Sequence, residues 1–188
     1  SQFSDPIVSG GKLIIKDEQG EDKVINLTRI HIEQDAGKSI HDQSPDDSFV
    51  DLNRSGVPLM EIVTEPEFGS SAEVADFVKK LRNILRYIDT CDADMEKGQL
   101  RCDANISLRP VGSEKLGTRC EIKNLNSIKN IQLAIDYEVE RQAKILDIGG
   151  EVRQQTRLFD VNVLETKVVR DKKMRMIIVI FQIRIYYH

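Results

Sequence analysis

Charged side chains occupy every second position of the segment at residues 29–35. They are Arg29, His31, Glu33 and Asp35. In a β-strand this spacing places all four on one face. Two carboxylates beside an imidazole can hold a hard divalent cation such as Mg²⁺ through oxygen ligands. A solvated strand face gives the same pattern, so both interpretations stay open at this stage.

A second alternating segment lies at residues 100–108. Arg101, Asp103 and Asn105 fall on one face, and the apolar residues between them, with Cys102, fall on the other. A guanidinium group can neutralise phosphate oxygens, and a neighbouring carboxylate can hold a metal ion. The pattern therefore predicts a site for a phosphate and its metal. The alternative is a polar sheet surface with cross-strand ion pairs. Cys102 is predicted to pack inward rather than to act as a nucleophile.

Two more groups of charged residues could bind a cation or an anion. Glu61 lies within the apolar stretch at residues 59–63, where a buried carboxylate needs a partner or a cation. The alternative is that Glu61 simply points outward from a strand. Glu121 and Lys123 share a strand face just before the helix entrance at Asn126 and Ser127. Helix N-terminal amides can bind an anion there, although ordinary capping by these two residues explains the same sequence.

The composition excludes several classes of protein. The chain has 188 residues, enough for one domain with a substantial core, and its net charge is −4. That charge argues against a generic basic nucleic-acid binder, and 5% aromatic residues argue against a stacking platform for single strands. Three cysteines without a CxxC pair favour a reducing compartment. The longest apolar run, at residues 176–181, is too short to span a bilayer, so no membrane partner is expected.

The elements that must position these residues follow from hydrophobic periodicity. Ser70 and Glu73 match a capping box before one amphipathic helix, and Asn126 and Ser127 open a second that ends at Gly149. The inward helix residues are predicted to be Val74, Phe77, Val78, Leu81, Ile84, Leu85, Ile88, Ile128, Ile131, Ile135, Val139 and Leu146. Strands are predicted at residues 12–16, 23–27, 28–35, 49–52, 59–64, 100–108 and 118–123. This order predicts an α+β fold, with a mainly antiparallel sheet and flanking helices.

Four motifs occur together and in a specific order. They read HIEQDAGKSIHD, VDLNRSGVPLMEIVTEP, LRCDANISLRP and EIKNLNS. On these motifs the chain closely resembles the family of aspartyl/glutamyl-tRNA(Asn/Gln) amidotransferase B subunits, from residue 1 to about residue 172. The resemblance implies the cradle-like catalytic domain of that family, in the bacterial cytoplasm or an organellar matrix.

The resemblance also implies an activity and its partners. The family's B subunit binds mischarged Glu-tRNA(Gln) or Asp-tRNA(Asn) and uses ATP with Mg²⁺ to activate the side-chain carboxylate as an acyl phosphate. Glutamine-derived ammonia from the glutaminase, the A subunit, then completes a carbon–nitrogen ligase reaction. The small C subunit joins both in a heterotrimer. Carried over by position, the metal site is expected near His31, Glu33, Glu61 and Asp103. Arg101 and Lys123 are expected to bind and neutralise the nucleotide phosphates, and Asn105 to orient the reactants.

A departure from the family pattern at the start of the chain shapes the expected domain boundaries. Relatives are expected to begin upstream, with a strand whose Glu-x-His motif contributes to the metal site. Residues 1–172 are therefore expected to form part of the catalytic domain. A non-catalytic remnant, or an interaction module that binds the glutaminase or tRNA, is the alternative function.

Residues 173–188 differ in kind from the rest of the chain, ending in MRMIIVIFQIRIYYH. Back-translation with suitable synonymous codons, after one base is restored before Lys173, reads EDANDYRYFPDPDLLP, which resembles the next motif of the family. We therefore expect this segment to be out of frame. Because it is apolar and β-branched, its removal is expected to improve solubility.

Overall fold

A computed structural model describes residues 5–40, 49–113, 115–171 and 181–186 of the chain. Its two helices are α1 (Ser71–Tyr87) and α2 (Ile128–Asp147). Its strands are β1 (Val8–Ser9), β2 (Lys12–Lys16), β3 (Asp22–Gln34), β4 (Lys38–Ile40), β5 (Phe49–Asp51), β6 (Pro58–Thr64), β7 (Leu100–Ile106), β8 (Cys120–Leu125), β9 (Gln155–Asp160), β10 (Glu165–Asp171) and β11 (Phe181–Tyr186).

Most of the strands form a single sheet. Its order is β1-β3-β6-β11-β7-β8-β9-β10, with β2 also paired to β3, while β4 and β5 form a separate hairpin. Among the described strands only β8 and β9 pair in parallel, and α2 connects them. Antiparallel neighbours and helices of this kind confirm the predicted α+β class.

The hydrophobic core lies between the sheet and the two helices. Alternation along β7 sends Leu100, Cys102 and Ala104 into this core, which leaves Arg101 and Asp103 for the opposite face. The predicted inward packing of Cys102 is confirmed. The helices contribute Val74, Phe77, Val78, Leu81, Leu85, Ile131, Ala134 and Ile135 to the core. The sheet therefore has one apolar face under the helices and one polar face on its other side, which we call the polar face.

Both helices begin where the sequence predicts. Ser70 is the N-cap of α1, and its side chain accepts a hydrogen bond from the backbone N–H of Glu73 at 3.3 Å. The Glu73 carboxylate reaches back to the backbone N–H of Gly69 at 2.7 Å. Ser127 caps α2 in the same way, accepting from the N–H of Asn130 at 3.1 Å. These side-chain oxygens satisfy amides that the first turn of a helix leaves without partners.

The buried side of α2 differs from the prediction. Val139 and Leu146 are exposed, whereas Glu138 and Gln142 are fully buried. The reason is the β9–β10 hairpin, which the sequence reading did not predict and which places Arg157 against the helix. The Arg157 Nε lies 3.5 Å from the Glu138 Oε2, so a charged network takes the place of apolar packing. Near the end of α1, Ile84 and the C-cap residue Ile88 are exposed although the periodicity predicts both inward, whereas Leu85 is buried.

Two predicted strands are merged in the structure, and the last described strand takes a central position in the sheet. Residues 23–27 and 28–35, predicted as separate strands, form the continuous strand β3. The strand β11 lies in the middle of the sheet, where it pairs with β6 on one side and β7 on the other. Within the described ranges, neither helix is both long and apolar enough to cross a membrane.

Candidate cation and phosphate site on the polar face

Three of the predicted metal ligands meet where β3 pairs with β6. His31 lies directly opposite Glu61, and Glu33 follows two residues later on the same side of β3. The His31 Nε2 contacts the Glu61 Oε2 and lies 3.2 Å from the Glu33 Oε1. One ligand atom from each residue lies within 4.8 Å of the others. We call these three residues the histidine–carboxylate cluster.

The donor atoms of this cluster fit a divalent cation. Glu61 and His31 are buried, with exposed fractions of 4% and 2%, and Glu33 is partly exposed. Two carboxylates match the oxygen ligands that Mg²⁺ and Mn²⁺ prefer, while the imidazole suits Zn²⁺ better. The buried His31 Nδ1 has no hydrogen-bond partner among the described residues. A metal-bound histidine usually donates its second N–H to an acceptor, so the carboxylates are the better ligands in this arrangement.

The fourth predicted metal ligand, Asp103, lies in a different group on the same face. Its Oδ2 is 2.6 Å from the Lys123 Nζ, which is also 3.1 Å from the Glu121 Oε1. A register shift between β7 and β8, with Asn124 at φ 68°, occurs beside this contact. Glu121 also accepts a hydrogen bond from the Thr156 hydroxyl at 2.9 Å. We call Asp103, Glu121 and Lys123 the lysine cluster.

The carboxylates of the lysine cluster keep Lys123 charged. Burial alone would lower the pKa of Lys123, but the attraction and hydrogen bonds of Asp103 and Glu121 raise it above its ordinary value. Lys123 is therefore an ammonium ion at neutral pH. Two carboxylates already surround it, so the net charge of the lysine cluster is negative. Lys123 can therefore bind a phosphate only when a cation neutralises the carboxylates.

The two remaining predicted residues lie on β7. Arg101 is exposed, and Asn105 lies opposite Glu121 in the register of β7 and β8. Glu61 and Arg101 pair in register with the same residue of β11, Arg184. Glu61 and Arg101 are therefore two strand spacings apart, roughly 10 Å. The structure thus places all seven predicted site residues on one face. The histidine–carboxylate cluster lies on one side of β11, and the lysine cluster lies on the other side with Arg101 and Asn105.

Comparison with known proteins places these residues in a family. The profile described as the GatB/GatE catalytic domain matches residues 1–177. The chain belongs to the GatB/GatE family. It is 62% identical over 173 residues to an aspartyl/glutamyl-tRNA(Asn/Gln) amidotransferase B subunit from Wolbachia pipientis subsp. Culex pipiens. It is 60% identical over the same length to the corresponding Rickettsia prowazekii protein. In each case the match covers 92% of this chain and 36% of the relative.

In this GatB/GatE chain one charged residue at the end of the sheet was not singled out from the sequence. Arg54 follows β5 in a turn, and its Nη2 donates a hydrogen bond to the Gly98 carbonyl at 3.2 Å. Its Nε lies 3.5 Å from the Asp35 Oδ2. No local pattern marks such a residue, because both contacts depend on loops that are distant in sequence. The only signal was its place within one of the four family motifs.

The buried cysteines of the GatB/GatE domain are poor nucleophiles. Burial raises the pKa of Cys102 well above its ordinary value, and burial together with Glu138 raises the pKa of Cys120 to about 11. Both thiols therefore stay protonated at neutral pH, and only a thiolate attacks efficiently. Neither cysteine is a candidate for covalent catalysis.

Replacing Lys123 with methionine is expected to destabilise the GatB/GatE domain by about 1 kcal/mol at neutral pH, between the effects typical of exposed and buried ion pairs. The substitution leaves Asp103 and Glu121 close together without their shared cation. Because the folded-state pKa of Lys123 is raised, its contribution is complete below the ordinary lysine pKa and disappears as pH rises through the folded-state value. Urea unfolding of the full chain at several pH values measures this difference.

The matched control is Lys144→Met, which removes a lysine paired with the exposed Glu140. It should not change stability measurably. An equal loss of stability in the two variants would show that the lysine cluster does not stabilise the fold. So would a Lys123→Met effect that persists unchanged above the folded-state pKa.

Proposed function

We propose that this chain is the catalytic-domain part of an aspartyl/glutamyl-tRNA amidotransferase B subunit. Its substrates would be ATP and Glu-tRNA(Gln) or Asp-tRNA(Asn), and its partners the A and C subunits, in the bacterial cytoplasm or an organellar matrix. The family and the names of its relatives support this assignment. The observation that carries it is the histidine–carboxylate cluster, which shares one sheet face with Arg101 and Lys123.

The proposed reaction has two balanced steps. First, an oxygen of the side-chain carboxylate attacks the γ-phosphorus of ATP, and the bond from that phosphorus to the bridging oxygen breaks, which releases ADP. Second, ammonia from glutamine attacks the acyl carbon, the carbon–oxygen bond to phosphate breaks, and the nitrogen loses a proton to leave the amide. The first step is needed because a carboxylate has no usable leaving group, whereas an acyl phosphate does.

The residues of the polar face suit the first of these steps. Glu33 and Glu61 would hold Mg²⁺, with His31 beside them. When bound, Mg²⁺ neutralises charge on the transferring phosphoryl group. Arg101 would bind phosphate oxygens from the neighbouring part of the sheet, since a guanidinium group matches their geometry. Lys123 would supply a second positive charge, with Asp103 fixing its position and Asn105 orienting the carboxylate.

The test is amidation by the reconstituted assembly. The full chain is mixed with the A and C subunits, ATP, Mg²⁺, glutamine and Glu-tRNA(Gln), and the amino acid released from the tRNA is identified. We expect glutamine to form only when ATP is present. Glu33→Gln should lower the rate by about 100-fold or more, because one ligand of the cation is lost.

Glu140→Gln is the matched control, because Glu140 is exposed on α2 and pairs with Lys144, far from the polar face. It should amidate at the wild-type rate. A stable complex that forms no glutamine would contradict the proposal and favour the interaction module. An active Glu33→Gln assembly would contradict the role given to the histidine–carboxylate cluster.

A further inference from the structure

Arg54 is held at the end of the sheet by the backbone around it. Its turn is attached to the end of β3 by two hydrogen bonds of 2.9 Å, from the Gly56 N–H to the Asp35 carbonyl and from the Asp35 N–H to the Val57 carbonyl. From this turn the side chain reaches the Gly98 carbonyl, just before β7 begins. Arg54 therefore connects the β3–β6 part of the site with the β7 part.

Arg101 approaches the same place from β7. A Cβ added to Gly98 would lie 3.4 Å from the Arg54 Nη1 and 3.7 Å from both the Nε and the Nη2 of Arg101. Gly98 also has φ +69°, a conformation that favours glycine. The absence of a side chain at Gly98 therefore leaves room for two guanidinium groups to be neighbours. We call Arg54 and Arg101 the arginine pair.

The arginine pair has the charge and position of a phosphate-binding site. Two neighbouring guanidinium groups can bind one anion together, and their N–H groups match the oxygens of a phosphate. Arg101 lies in the same register row as Glu61, two strands from the histidine–carboxylate cluster. A terminal phosphate between that cluster and the arginine pair can therefore contact both a cation bound by the carboxylates and a guanidinium group.

We propose that Arg54 and Arg101 together bind the terminal phosphate of a nucleoside triphosphate. This proposal rests on the proposed function, because it assigns the phosphate-binding part of the same site. It adds Arg54, a residue outside the strands, as a ligand of the nucleotide. Asp35 limits the positive charge of Arg54 and thereby tunes the affinity of the pair for an anion.

Calorimetric titration of the full chain with a non-hydrolysable ATP analogue, in the presence of Mg²⁺, tests this proposal. Arg54→Ala should weaken binding by about tenfold or more, as expected when hydrogen bonds from a charged group are lost. The affinity of Arg54→Ala for inorganic tripolyphosphate should fall by a similar factor, whereas its affinity for adenosine should not change. Arg54→Ala and Arg101→Ala should also combine to less than the product of their separate effects, because both residues bind one phosphate.

Asp35→Asn provides a gain of affinity that a misfolded variant cannot imitate. It removes the carboxylate beside Arg54 and should tighten tripolyphosphate binding several-fold. Arg86→Ala, which removes an exposed arginine from the end of α1, is the control and should change nothing.

Several results would overturn the proposal. An analogue bound equally well by wild type and Arg54→Ala would refute the role of Arg54 while leaving the proposed function intact. A wild-type chain that binds no triphosphate would contradict both. If Arg54→Ala lost affinity for a CCA-ended RNA but bound the ATP analogue as wild type does, the arginine pair would be assigned to the RNA backbone instead.

Discussion

Glu61→Gln is expected to reduce Mn²⁺ binding by about 100-fold or more, since even a residue that only orients a metal ligand is often worth 10–100-fold. Glutamine keeps the size of the side chain, and its amide oxygen can still accept from His31. It lacks the negative charge that holds a divalent cation. The free Mn²⁺ signal in electron paramagnetic resonance, recorded during titration of the full chain, measures the affinity, and competition by Mg²⁺ tests whether the two cations share the site.

Asp103→Asn is the informative comparison for Glu61→Gln. The sequence predicts Asp103 as a ligand of the same cation, but the structure pairs it with Lys123, on the far side of β11 from Glu61. We therefore expect Asp103→Asn to change Mn²⁺ affinity by less than about threefold, a long-range charge effect in water. An equal loss of Mn²⁺ affinity in the two variants would show that Asp103 moves to bind the cation. The two clusters would then act as one metal site.

Local sequence patterns predicted the faces of the strands well. Alternation along β7 correctly separated Arg101 and Asp103 from the buried Cys102, because side chains in a strand point alternately to opposite faces. The caps at Ser70 and Ser127 were predicted equally well. A serine at the start of an amphipathic helix accepts from an amide only three residues later, so the contact is local in sequence. The apolar surroundings of Glu61 also indicated a need for a partner, which the structure supplies as His31.

Contacts between distant segments could not be predicted in this way. The contact between Lys123 and Asp103 depends on a register shift between β7 and β8. The charged side of α2 depends on the hairpin that brings Arg157 to Glu138. In both cases the partner is fixed by strand pairing and loop closure, which no short window of sequence specifies. The separation of the two clusters has the same origin, because it depends on which strand lies between β6 and β7.

Removing residues 173–188 is expected to lower the soluble, folded fraction of the chain sharply. This reverses the expectation from the sequence. The strand β11 pairs with β6 along residues 59–63 and with β7 along residues 100–104, so its loss exposes two strand edges inside the sheet. Unpaired edges of apolar strands are sites of aggregation, and a fold that is stable by only about 5–15 kcal/mol tolerates the loss of a central strand poorly. Soluble protein after centrifugation and hydrogen exchange of β6 and β7 measure the effect.

A third chain tests whether the position or the particular sequence of β11 matters. In it, EDANDYRYFPDPDLLP, the sequence that back-translation gives for the neighbouring frame, takes the place of residues 173–188. If the sheet requires only a strand between β6 and β7, this chain should protect both strands from hydrogen exchange, as the unaltered chain does, while the truncated chain should not. If the present segment is foreign and harmful, the truncated chain should instead be more soluble than the unaltered one. That result would contradict a structural role for β11. If β11 pairs with β6 and β7 in solution, removing it opens two strand edges and should make the chain less soluble.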